Sequence, residues 1–117
     1  PGFVPEMFRE MRVAGAQAFV IPSGWPVPRI AQWDALLPAR AVENQTWVIA
    51  CNQVGTQGKH VLGGRSAIID PLGNLLAQGG EHEEVLSANI DVEVAEQWRL
   101  EFPAINDMVA CTIHRVH

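Results

Sequence analysis

Two cysteines, four histidines, one lysine and a small acidic cluster are the residues of this 117-residue sequence that could do covalent, acid–base or metal chemistry. Cys51 beside a histidine would permit thiol catalysis, in which a thiolate attacks an electrophilic carbon. A reactive cysteine needs a helix start or a neighbouring base to hold its thiolate. Cys51 instead closes the apolar run 46–51, where a cysteine is expected to pack as a small buried hydrophobe. Cys111 sits in a stretch without period. His114 and His117 have the i, i+3 spacing that could bring both to one metal on a helix, but no third ligand has matching spacing. They are expected to be solvated. Glu81, Glu83 and Glu84 crowd a turn next to glycines, which reads as a solvated loop rather than an acid–base pair. Gly63-Gly64 ahead of Arg65 could cradle an anion, yet no phosphate-loop pattern follows. Lys59, the single lysine, falls in a glycine-rich loop and suits a surface role. No metal or cofactor is expected, and no self-contained catalytic set emerges.

The elements that must position these residues follow from period and punctuation. Residues 5–14 form a helix, with Pro5 in the first turn and Met7, Phe8, Met11 and Ala14 on one face. Gly15 stands where a helix end favours a left-handed residue. Residues 18–21 make a short strand that ends at the turn-rich Pro22-Ser23-Gly24-Trp25-Pro26. Helical period returns over 29–45, with Ile30, Trp33, Leu36, Leu37, Ala41 and Val42 sharing a face and a kink or break expected at Pro38. Residues 46–51 read as a strand buried on both faces. A loop is expected over 56–64, then a strand over 65–70. Asp70-Pro71-Leu72-Gly73 has the residues of a type I turn, and 75–77 returns as a hairpin partner. A last strand is expected over 85–90, with Asp91 as the N-cap of a helix that shows Val94, Trp98 and Phe102 on one face and ends at Pro103. Residues 104–117 read as an extended tail.

Composition narrows the function classes. A hydrophobic fraction of 48% and four tryptophans fit a folded domain, and 117 residues fit one domain or part of one. The net charge of −5 and the scattered arginines provide no phosphate-neutralising patch, so no nucleic-acid partner is expected. No apolar run nears the ~20 residues that span a bilayer, so no membrane partner is expected. No signal peptide is visible, and two unmatched cysteines favour a reducing cytoplasm.

Short motifs then follow one another in a recognisable order. They are Phe3-Val4-Pro5-Glu6, Ala14-Gly15-Ala16 before a strand ending in Pro22, and Trp25-Pro26 followed by Trp33. After them come the segment 39–45 (Ala-Arg-Ala-Val-Glu-Asn-Gln), Asn52 to Gly55, Gly64 to Ser66, and Asp70-Pro71-x-Gly73. Together they resemble the carbon–nitrogen hydrolase (nitrilase) superfamily over about residues 3–107. Trp25-Pro26 with Cys51-Asn52 looks closest to the ω-amidase-like branch, which deamidates ω-amides of 2-oxo dicarboxylic acids. The resemblance implies an α/β fold, the C-terminal half of a four-layer α-β-β-α sandwich, with a partial hydrolase domain over 1–107 and a tail over 108–117. It implies amide hydrolysis by a glutamate base, a cysteine nucleophile and a lysine, all three expected upstream of Pro1 and none of them in this chain. Neither Lys59 nor Cys51 occupies the family position. Phe3, Pro38 and Gln53 depart from the family pattern.

What the resemblance leaves in this chain is pocket wall. Trp25 follows a strand where the family contacts substrate, and an aromatic there can cover an acyl intermediate; its alternative is packing beneath the loop. Asn52 could bond substrate or cap its loop. Gly64 and Ser66 could border the entrance. Arg40 and Glu43 are expected to pair with neighbours. The implied partners are a small amide substrate, the N-terminal half of the same enzyme, and a second copy in a homodimer or higher homo-oligomer. Two readings follow. One is a C–N hydrolase that is inactive as this chain alone, with N-carbamoyl amidohydrolase and nitrilase as variants. The other is a binding or oligomerisation module without chemistry, or a degenerate relative.

Overall fold

A computed structural model describes residues 4–108. Three helices, α1 (Pro5–Val13), α2 (Ile30–Asn44) and α3 (Val92–Glu101), accompany six strands. The strands are β1 (Ala18–Ser23), β2 (Trp47–Asn52), β3 (Val54–Gln57), β4 (His60–Gly63), β5 (Ala67–Ile69) and β6 (Leu75–Gln78). The main sheet has the order β1-β2-β5-β6, and β3 and β4 form a separate hairpin. β1 and β2 run parallel, joined through α2 as parallel neighbours require, while β5 and β6 add antiparallel.

The sheet register sorts side chains by face. Phe19, Val48 and Ile69 pair in one row, and Ile21, Ala50 and Ala67 in the next. Both rows meet the helices: Phe8 of α1 and Trp33, Leu37 and Ala41 of α2 complete this core. Phe8 meets Phe19 edge to face at 5.0 Å. Arg9 and Arg12 of α1 donate to the carbonyls of Glu43 and Asn44, placing cations at the C-terminal end of α2 where its dipole favours them. Arg40 lies over the Phe8 ring at 5.8 Å and pairs with Glu43 at 3.1 Å, as its expected ion-pairing role requires.

Several expectations need correction. Residues 54–63 form the β3–β4 hairpin and not a loop; Gly58, with φ 62, turns the chain between Gln57 and His60. α2 runs unbroken through Pro38, because buried Trp33, Leu37 and Ala41 hold it against the sheet on both sides of the proline. Its buried face includes Arg40 and Asn44, while Val42 is exposed. No strand forms over 85–90, where Val85 is almost wholly exposed and finds no partner strand. Cys51 is exposed, since alternation turns it away from α2 while Ala50 and Asn52 turn in. A short 3₁₀ turn occupies Ala104–Asp107. Cys111, His114 and His117 lie outside the described residues. The turn at Asp70 forms as expected: Gly73 N–H donates to Asp70 O, and the Asp70 carboxylate accepts from the Leu72 and Asn74 amides.

Candidate functional site

Asn52 ends β2 and is buried. Its side-chain oxygen accepts from the Trp25 amide at 2.6 Å, and its Nδ2 donates to Trp25 O at 3.0 Å and to Gly64 O at 2.9 Å. Its own amide donates to Ser66 Oγ at 2.9 Å. The Asn52 side chain therefore pairs with the main chain of Trp25 as a neighbouring strand would, extending the β1–β2 pairing past its end. The loop-capping role expected as one alternative for Asn52 is the one these bonds display.

Three further bonds close the loop cluster. Gly63 N–H donates to Trp25 O, Gln53 N–H to Ser23 O, and Gly64 N–H to Gln53 O. The Trp25 indole N–H donates to Arg29 O, and its ring leans on Trp33 with centroids 6.2 Å apart. Gly64 has φ 63, and a Cβ there would lie 2.3 Å from Gly80 O, so glycine is required at this close approach. Arg65, with φ 59, is left-handed as well.

Trp25, Asn52, Gly64 and Ser66 are thus brought together by hydrogen bonds, but they open onto different depressions. Trp25 borders a groove of about 540 Å³ along β1, whose other wall is Met7, Phe8 and Met11 of α1. Asn52 and Ser66 border a second depression of about 390 Å³ with Cys51, Gly79, His82 and Glu84. Gly64 lines neither. Glu84 accepts from the Gly80 amide, so the acidic turn braces its own backbone. Among the described residues no group of three His, Cys, Asp or Glu could hold a metal ion. Among them, too, no helix is long and apolar enough to cross a membrane. Sequence reasoning missed Arg65 and Asp34, paired at 2.7 Å across 31 positions, since no local spacing announces such a pair.

Known proteins resemble this chain in sequence and in fold. The 2-oxoglutaramate amidase of Paenarthrobacter nicotinovorans is 41% identical over 103 residues, 88% of this chain and 35% of that protein. The 2-oxoglutaramate amidase of Bacillus subtilis is 40% identical over 104 residues, 89% of this chain and 40% of that protein. The chain therefore spans little more than a third of the length of these relatives. Saccharomyces cerevisiae Nit3, a member of branch 10 of the nitrilase superfamily, superposes with a TM-score of 0.80 at 33% identity, over 86% of this chain and 38% of that one. The α/β fold and the ω-amidase-like resemblance both stand on these likenesses. The family model for carbon-nitrogen hydrolases matches residues 1–100, and the chain belongs to that family.

Proposed function

We propose that this chain forms the pocket-wall half of an ω-amidase, an enzyme that hydrolyses the terminal amide of a 2-oxo dicarboxylic acid. The observation that carries the reading is the clamp of Asn52 on Trp25. It fixes the main chain that carries an aromatic side chain just past the C-terminal end of a parallel strand, where open α/β sheets bind ligands. Resemblance to two 2-oxoglutaramate amidases supports the substrate class. In the proposed reaction a cysteine thiolate attacks the amide carbon. Glutamate takes the thiol proton and passes it to the leaving nitrogen, and ammonia departs from a thioester. Water, deprotonated by the same glutamate, then hydrolyses the thioester to the carboxylate and restores the thiol. A lysine and a backbone N–H stabilise the oxyanion at each addition. These three side chains come from outside the 117 residues. Trp25 covers the acyl group and keeps bulk water off it, while Ser66 and Gly64 hold the floor of the loop. The complete enzyme works in the cytoplasm as a homodimer.

The test uses the natural polypeptide that bears this sequence. Ammonia release from 2-oxoglutaramate should exceed that from an N-carbamoyl amine and from a nitrile. Trp25→Ala should lower kcat/KM about tenfold or more, the scale of losing a positioning contact. Faster turnover of the carbamoyl compound or the nitrile would overturn the substrate assignment. The second reading, a module without chemistry, is favoured by the exposed apolar face around Val20. It would be established by release of no ammonia from any of the three.

A further inference from the structure

Arg65 is the one described non-glycine residue besides the helix-capping Gln45 with a positive φ, and it directly follows left-handed Gly64. Left-handed backbone is unfavourable for a residue with a Cβ, and it persists only where the surroundings over-determine it. Here every polar group of Arg65's backbone is engaged. Its amide donates to Gly80 O at 3.1 Å, and its carbonyl accepts from the Trp33 indole N–H at 2.8 Å. Its Nε donates to Asp34 of α2 at 2.7 Å. The residue thus ties the β4–β5 connection to the N-terminal part of α2 at two points, through Asp34 and through Trp33.

Both neighbours of Arg65 act on Asn52. Gly64 O accepts from Asn52 Nδ2, and Ser66 Oγ accepts from the Asn52 amide. Asn52 in turn holds the Trp25 main chain. A second route runs from Arg65 O to the Trp33 indole and from the Trp33 ring to the Trp25 ring. Two independent paths, one polar and one aromatic, therefore lead from Arg65 to the two ends of Trp25. We propose that Arg65, paired with Asp34, is a positioning residue that sets where the Trp25 indole stands, and so tunes substrate fit without touching substrate. The consequence for substrate rests on the ω-amidase reading of Trp25; the positional claim does not.

The variants separate charge from backbone. Asp34→Asn removes only the charge, on a half-exposed side chain where folding should survive. Arg65→Gly keeps the left-handed backbone and removes the guanidinium. Arg65→Lys keeps a cation. In the full natural polypeptide, Asp34→Asn and Arg65→Gly should each shift the NMR resonances of the Asn52 side-chain amide and the Trp25 amide and indole. Each should raise KM for 2-oxoglutaramate about threefold with kcat held within about twofold, the modest effect of a half-exposed pair. Arg65→Lys should restore most of KM, and the double variant should be no worse than either single one. A lowered rate with KM and the Trp25 and Asn52 resonances all as in the parent would report loss of active enzyme alone, and that result overturns the proposal. Wild-type Trp25 and Asn52 resonances in both single variants overturn it as well. Shifted resonances with unchanged KM leave the positional claim standing and remove Trp25 from the pocket wall.

Discussion

Gly15 and Gly64 both hold left-handed backbone, with φ 108 and φ 63, yet they should answer differently to an added methyl group. A Cβ at Gly15 meets nothing within 4 Å, so Gly15→Ala adds only conformational strain, about 1 kcal/mol. A Cβ at Gly64 would stand 2.3 Å from Gly80 O, a backbone atom that cannot swing aside. Gly64→Ala should therefore cost about 3 kcal/mol or more, since strain and collision add. Urea unfolding midpoints of the two variants, compared at equal m-value, check this. Equal losses would show that the backbone at Gly80 relaxes freely. The need for a glycine at 64 was half legible: Gly63-Gly64 before Arg65 marks a tight passage, but not what crowds it. Trp25 and Asn52 were legible as residues just past strand ends, and Ser66 only as a residue that could border the entrance. Their mutual bonds were not, because a side-chain amide reaching a main chain 27 positions away leaves no periodic trace. Cys51 was misplaced for a related reason. In an unbroken apolar run the two faces of a strand look alike, and only pairing tells which one meets a helix.

α3 shows how an element can be docked with little apolar contact. Ala95 is its one buried residue, and Trp98 and Phe102 stack on each other with centroids 5.7 Å apart. Polar bonds do the rest. Arg99 donates to Gln45 O, Ala16 O and Thr46 Oγ1, and the Gln45 side chain returns two bonds to Trp98 O and Phe102 O. Arg99→Ala should thus free α3 while the sheet stays folded. Hydrogen exchange should accelerate about tenfold or more over 92–101, given about 1.5–3 kcal/mol for a charged bond network, and stay unchanged in β1 and β2. Uniform acceleration through the whole chain would show instead that α3 and the sheet open as one unit. Burial lowers the Arg99 pKa, with nearby Arg12 acting in the same direction. The charged form is therefore the one that folding penalises, and the penalty is relieved only as pH rises through the folded pKa, far into the alkaline range. Docking of α3 should accordingly not change between pH 5 and 9. Asp91 was legible as the N-cap and does accept from the Glu93 amide, so local capping chemistry was readable. The strand expected over 85–90 was not formed, because apolar composition without a partner strand specifies no pairing. The β3–β4 hairpin was missed for the opposite reason. Its residues mix polar side chains and glycines with few apolar ones, burial is confined to Leu62 and Gly63 at one end, and the turn at Gly58 sets the pairing.

At the scale of the whole molecule, one face of the main sheet is covered by helices, and the other is bare at its β1 edge. The extents are 47 × 43 × 19 Å, so the short dimension holds one helix layer on one sheet. The radius of gyration, 15.6 Å, exceeds the roughly 13 Å of a compact chain of this length. Val20, Ile49 and Ile68 pair in a row on the face opposite α2, along which exposure falls from 73% at Val20 to buried Ile68. β1 is also an edge of that sheet, with one row of backbone groups unpaired within it. A sheet face of this kind gains free energy on meeting another apolar surface, at roughly 25 cal/mol per Å² covered. In the 117-residue chain alone, a second copy is the surface at hand, and it should cover this face by self-association. Val20→Lys places a charge at the exposed end of this row, on the sheet edge, where lysine opposes edge pairing. Because Val20 makes little contact within the chain, the substitution should leave the unfolding free energy from urea titration within about 0.5 kcal/mol of the parent. Sedimentation velocity at matched concentrations should then show the parent as oligomer and Val20→Lys shifted toward monomer. Parent and variant sedimenting alike would place the contact elsewhere, and the exposed face of α1, with Met7 and Met11, would be the next surface to charge.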